Sequence, residues 1–144
     1  MKVVWLLFWA PLLSVVPTGV AAPDDSNLRT DCNRLNGVVN QVTGELSTVF
    51  SHRADAAELF SQVVAITEKA VLSFEAIQLV DSQLQNYSNR FTTLYTNVGN
   101  ASRDLVDAER AQDQAAAQSA YDAFRSAVRP EGILINEMKR YCSH

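Results

Sequence analysis

The sequence predicts an all-α protein, a four-helix up-and-down antiparallel bundle whose first and last helices are linked by a disulfide. Three observations carry that expectation. Apolar residues recur at alternating steps of four and three through residues 28–49, which marks an a/d seam. The same rhythm returns through residues 84–108. The only two cysteines, Cys32 and Cys142, stand near opposite ends of the chain. Up-down-up-down topology brings the start of the first helix beside the end of the fourth, so it would bring these two together.

The leader has to be set aside first. Met1-Lys2 is a short basic start, Val3 to Val16 is apolar apart from Pro11 and Ser14, and Gly19 and Ala21 supply small residues. An apolar core of about 14 residues is short against the roughly 20 that a membrane span needs. The segment therefore reads as a signal peptide cleaved near Ala21; a cut after Ala22 would place Pro23 directly behind it. Residues 1–21 are assigned to the signal peptide and 22–144 to a single helical-bundle domain. No second apolar run follows, so no integral membrane span is expected after processing and the location expected is secreted or periplasmic. Export puts Cys32 and Cys142 in an oxidising compartment, where pairing is the default.

The first helix follows the polar lead-in Pro23 to Ser26, with Asp25 or Ser26 expected as its N-cap. Its seam is Leu28, Cys32, Leu35, Val39, Val42, Leu46 and Val49. Ser51 to Ala54 breaks it. Asp55, with Glu58 three residues on, forms a capping box for a second helix carrying Leu59, Val63, Ile66, Ala70, Phe74 and Ile77. No Gly or Pro lies between Gly44 and Gly99, so the next turn is placed at Gln78 to Asp81 on the capping residues Asp81 and Ser82; one continuous helix is the alternative.

The third helix runs through Leu84, Tyr87, Phe91, Leu94, Val98, Ala101, Leu105 and Ala108. Gly99 lies off that seam, where it costs about 1 kcal/mol relative to Ala. Arg110 to Asp113 is the third turn. The last helix carries Ala117, Ala120, Phe124, Ala127, Leu134, Met138 and Tyr141. Pro130 and Gly132 interrupt it; proline lacks the N–H and clashes with the preceding turn, so a kink or restart is expected there. Glu131 occupies the seam position at that break.

Composition excludes more than it assigns. Loss of Lys2 with the leader takes the net charge from −4 to −5. An acidic chain without a basic face is a poor nucleic-acid binder and does not dock electrostatically on anionic lipid. The haem-attachment motif Cys-x-x-Cys-His is absent, and the axial candidates His52 and Met138 belong to opposite ends of the bundle. Met138 with His144 would require the terminus to fold back. No inward Glu-x-x-His pair supports a di-metal site, and no nucleophile motif supports catalysis. No cofactor is expected.

Four core positions near the cysteines, Tyr87, Phe91, Met138 and Tyr141, are the candidates for lining a ligand site between helices. Gly37 and Gly44, seven residues apart on the outer face of the first helix, are the candidates for close approach of a partner helix. Asn86-Tyr87-Ser88 and Asn100-Ala101-Ser102 match the glycosylation sequon, which matters only for a eukaryotic source. The expected function is a non-catalytic binding role toward an unknown protein or envelope component. The alternative is a carrier of a small apolar ligand or haem in the bundle core.

Overall fold

The computed structural model describes residues 24–52 and 54–144, so the signal-peptide reading lies outside the described residues. Within them the chain forms α1 (Asp25–Ser51), α2 (Ala56–Ala76), α3 (Ser82–Arg110), α4 (Gln114–Val128) and α5 (Glu131–Tyr141). The last two are halves of one kinked rod. Arg129 and Pro130 both keep right-handed helical backbone angles, and Leu134 N–H bonds to Pro130 O at 3.0 Å. Pro130 has no N–H to give back to the preceding turn, so the helical ladder is cut there. Four rods result, in the expected bundle, with Cys32 bonded to Cys142.

Aspartates set most helix starts. Asp55 accepts from Glu58 N–H at 2.9 Å, Asp81 from Leu84 N–H at 2.8 Å and Asp113 from Ala116 N–H at 3.0 Å. Each satisfies one of the donors a helix leaves unpaired in its first turn. The first helix differs: Asp24, not Asp25 or Ser26, is the N-cap residue. Its carboxylate accepts from the Ser26 hydroxyl at 3.0 Å and caps no backbone N–H. The turn after α2 is a true break, from Ile77 to Asp81, and not a continuous helix. α3 ends with Gln112 at φ 54°, where Asp113 N–H reaches Ala108 O and Gln112 N–H reaches Glu109 O. That is a Schellman closure with glutamine at the position glycine usually takes.

The two heptad seams become the core. Cys32, Leu35, Val39 and Val42 of α1 are buried, as are all eight seam residues of α3. Full burial of a large apolar side chain contributes about 1.5–3 kcal/mol. α3 also buries a second stripe, Ser88, Tyr95, Gly99, Ser102 and Val106. It faces α2 closely enough that a Cβ on Gly99 would stand 2.7 Å from Thr67 Oγ1. Gly99 is therefore a close-approach residue rather than a tolerated one. The rings of Phe74, Phe91 and Tyr95 lie nearly parallel, Phe74 centred 5.3 Å from Phe91 and 5.8 Å from Tyr95.

At the disulfide end the buried carboxylate of Asp31 accepts the N–H groups of Val80 and Asp81, pinning the α2–α3 loop to α1. The Tyr141 hydroxyl donates to Asp81 Oδ2 at 3.0 Å, which ties α5 to the same loop. Burial, then the bonded Asp81, raises the Tyr141 pKa above the usual tyrosine value. Among the described residues no helix is long and apolar enough to cross a membrane.

Candidate functional site

The bundle has one weak seam. Ion pairs join α1 to α2 (Glu45–Lys69, 2.7 Å), α2 to α3 (Glu68–Arg103, 2.6 Å) and α3 to α5 (Glu137–Arg90, 2.8 Å). Among the described residues none joins α1 to α4 or α5, and no hydrogen bond does either. α1 rests on α2 and, less closely, on α3, and it approaches the α4–α5 rod at almost no position. The Cys32–Cys142 bond, with Cα atoms 5.8 Å apart, holds this seam at one end.

Away from the disulfide the seam opens into a crevice of about 350 Å³. Thr43, Leu46, Ser47 and Phe50 form the α1 wall, and Phe124, Val128 and Glu131 form the opposite one. Their spacing follows from helical periodicity: each set falls on one stripe of its helix. Val63 and Val98, both fully buried, make the floor, so the crevice reaches the bundle core. Phe50 stands at 48% exposure, with its ring 6.2 Å from that of Phe124, which in turn meets Phe60 edge-on at 5.1 Å. The site is small among ligand clefts but apolar, with few polar groups.

Glu131 is the one charged residue of that lining. It is half-buried, and its Oε1 accepts from the Tyr95 hydroxyl at 2.6 Å. Tyr95 is buried, and burial, followed by the negative charge and hydrogen bond of Glu131, pushes its pKa far above the ordinary tyrosine value. The phenol thus stays a donor, and the carboxylate is held in a fixed orientation. Glu131 also opens α5, where the helix N-terminus favours a negative charge.

The largest opening among those described, about 460 Å³, is a polar hollow at the α3–α4 turn, and two grooves of about 400 and 410 Å³ run over tightly joined helices. One follows the α2–α3 contact beside Gly99 and the exposed Leu72; the other, between α3 and the α4–α5 rod, includes Arg90 and Pro130. Neither separates two rods that lack polar ties.

The residues singled out in the sequence lie elsewhere. Tyr87, Phe91 and Met138 are buried at the disulfide end, and Tyr141 is partly so. The Tyr87 and Tyr141 rings are 6.1 Å apart, with the Arg90 guanidinium 5.6 Å above Tyr87. None of the four lines the crevice, and Phe91 stacks instead on Phe74 and Tyr95. Gly37 and Gly44 are exposed on α1, and a Cβ on either would meet nothing within 4 Å. The crevice residues were not visible as a site. Tyr95 belongs to the second stripe of α3, whose seven-, four- and three-residue steps were the available signal. Glu131 alone stands out in the sequence, as an acid on an apolar seam. No protein-family model matches the chain, and neither a curated protein nor a solved structure matches it.

Proposed function

We propose that this is an exported, non-catalytic binding protein that holds an apolar group in the crevice between α1 and the α4–α5 rod. One observation carries the reading: the seam without polar ties opens into a crevice floored by the buried Val63 and Val98. A crevice bounded by one stripe of α1 can admit a ligand by a small outward movement of that helix. The disulfide limits the movement and suits an oxidising location outside the cytoplasm. The role needs no acid–base pair or nucleophile.

Titration of the mature protein with the uncharged fluorophore N-phenyl-1-naphthylamine tests this. Emission should rise on binding and be lost in Ser47→Trp, which fills the crevice from an exposed position on α1. No rise with the wild type, or an equal rise with the variant, rejects the crevice as the site. A second reading, a partner helix seated on the outer face of α1, is favoured by the open space over Gly37 and Gly44. Native mass spectrometry of protein from its own host separates the two, since one gives a small-mass adduct and the other a protein complex.

A further inference from the structure

Glu131 stands apart from the other carboxylates that bridge helices. Glu45, Glu68 and Glu137 each hold a Lys or Arg of a neighbouring helix. Glu131 has no such cation among the described residues, although it lies half-buried against the apolar lining of a crevice. One of its oxygens is occupied by Tyr95, and that bond fixes where the other stands. Of the two hydroxyls nearby on α1, Thr43 already donates to Val39 O at 2.9 Å. The charge available to a guest is therefore one oriented negative charge among apolar walls. Half-buried charge gains a partner at lower desolvation cost than a fully buried one, and its attraction is less screened than at the surface.

We infer that the crevice takes an apolar chain ending in a cationic amine, with Glu131 as its counter-ion and Phe50 and Phe124 against the chain. The inference rests on the crevice reading above. It follows from complementarity: a carboxylate head would face a like charge, and a hydroxyl head would gain a hydrogen bond without charge attraction. Phe124 and Glu131 are seven residues apart along the rod, which is roughly 10 Å at the helical rise and spans a medium-length chain. The net charge of −4 adds a general attraction for cations, which the test has to separate from the local one.

The experiment is displacement of N-phenyl-1-naphthylamine by decylamine, decanol and decanoate, each below its micelle concentration, at neutral pH. Decylamine should displace it at a roughly tenfold lower concentration than decanol, as a charge-assisted hydrogen bond implies, and decanoate should be weakest. Glu131→Gln keeps an acceptor for Tyr95 and should bring decylamine to the level of decanol. Asp104→Asn, a charge change of the same size at an exposed position of α3, should leave the ranking intact. If all three heads displace the probe equally in the wild type, the amine inference is overturned while the crevice reading stands. The amine inference also falls if Asp104→Asn acts as strongly as Glu131→Gln, since bulk charge then explains the ranking. If none displaces it, the crevice reading falls too.

Discussion

The Tyr95 hydroxyl donates to Glu131 Oε1 across 2.6 Å, joining the centre of α3 to the first residue of α5 at the proline break. The bond gives the interrupted helix a polar anchor where its own ladder is missing. Tyr95→Phe should cost about 1 kcal/mol at neutral pH, the usual net worth of such a bond, because half-buried Glu131 can turn to water. The larger effect belongs at alkaline pH. The folded-state pKa of Tyr95 is raised above that of the unfolded chain. Its contribution is fully present below the unfolded tyrosine value of about 10 and is lost as pH rises above it. Urea midpoints from pH 8 to 11 should fall for the wild type and fall less for Tyr95→Phe. Parallel curves would mean that Tyr95 ionises as easily folded as unfolded.

Glycines separate by position. Gly99→Ala gains helix propensity, yet its Cβ would lie 2.7 Å from Thr67 Oγ1, on a buried side chain that also donates to Val64 O. Overpacking of this kind costs about 1–3 kcal/mol and should exceed the gain. Adding Thr67→Ala should recover part of the loss, a coupling that thermal melts of the double-mutant cycle will read. Gly37→Ala and Gly44→Ala meet open space and should each stabilise by about 0.5–1 kcal/mol. Stabilisation by Gly99→Ala would contradict the close α2–α3 approach.

These contrasts show what was legible in the sequence. The caps at Asp55 and Asp81 are local chemistry, readable from a few residues, and the structure places both where the pattern does; at the third turn the pattern gave the break but not the cap at Asp113. The seams of α1 and α3 are periodic and equally plain. Gly99 was not legible, because its role depends on which helix crosses it. The end of α3 carried no glycine, since Gln112 takes the left-handed position itself. The crevice was hardest of all: it arises from poor apposition of helices far apart in sequence, and apolar residues such as Leu46 and Val128 look the same whether they face a partner or a gap.

Asp31 was equally hidden, an acid beside Cys32 on a helix start, where a solvated side chain is the usual outcome. Its buried carboxylate instead accepts two loop N–H groups, at Val80 and Asp81. Asp31→Ala should cost about 2–3 kcal/mol, because two donors lose a charged acceptor at once. Asp31→Asn keeps one acceptor oxygen and should cost less. Chemical denaturation will rank them, and loop amides 80 and 81 should lose hydrogen-exchange protection first. Equal stabilities for the wild type and Asp31→Ala would show that the loop needs no clasp.

The disulfide supports the strongest prediction, because it is the one covalent or polar tie among the described residues across the α1 seam. It closes a sequence separation of 110 residues, for which loop entropy alone suggests about 4–5 kcal/mol, with measured values often lower. A Cys32→Ala, Cys142→Ala variant should therefore lose about 3–5 kcal/mol. The loss should also be uneven. α2 and α3 keep their close packing around Gly99 and Thr67 and their Glu68–Arg103 pair, whereas α1 retains its contacts with α2 and α3, its clasp on the loop and the Phe50–Phe124 ring contact. Hydrogen exchange should show the amides of α1 opening at a lower free energy than those of α3, through local release rather than global unfolding. The fluorophore should bind this variant more weakly than the wild type, since a crevice with a free wall must be ordered on each binding event. A uniform loss of protection across α1 and α3 would mean that the bundle opens as one unit, and the crevice would then be a fixed groove rather than a seam that moves.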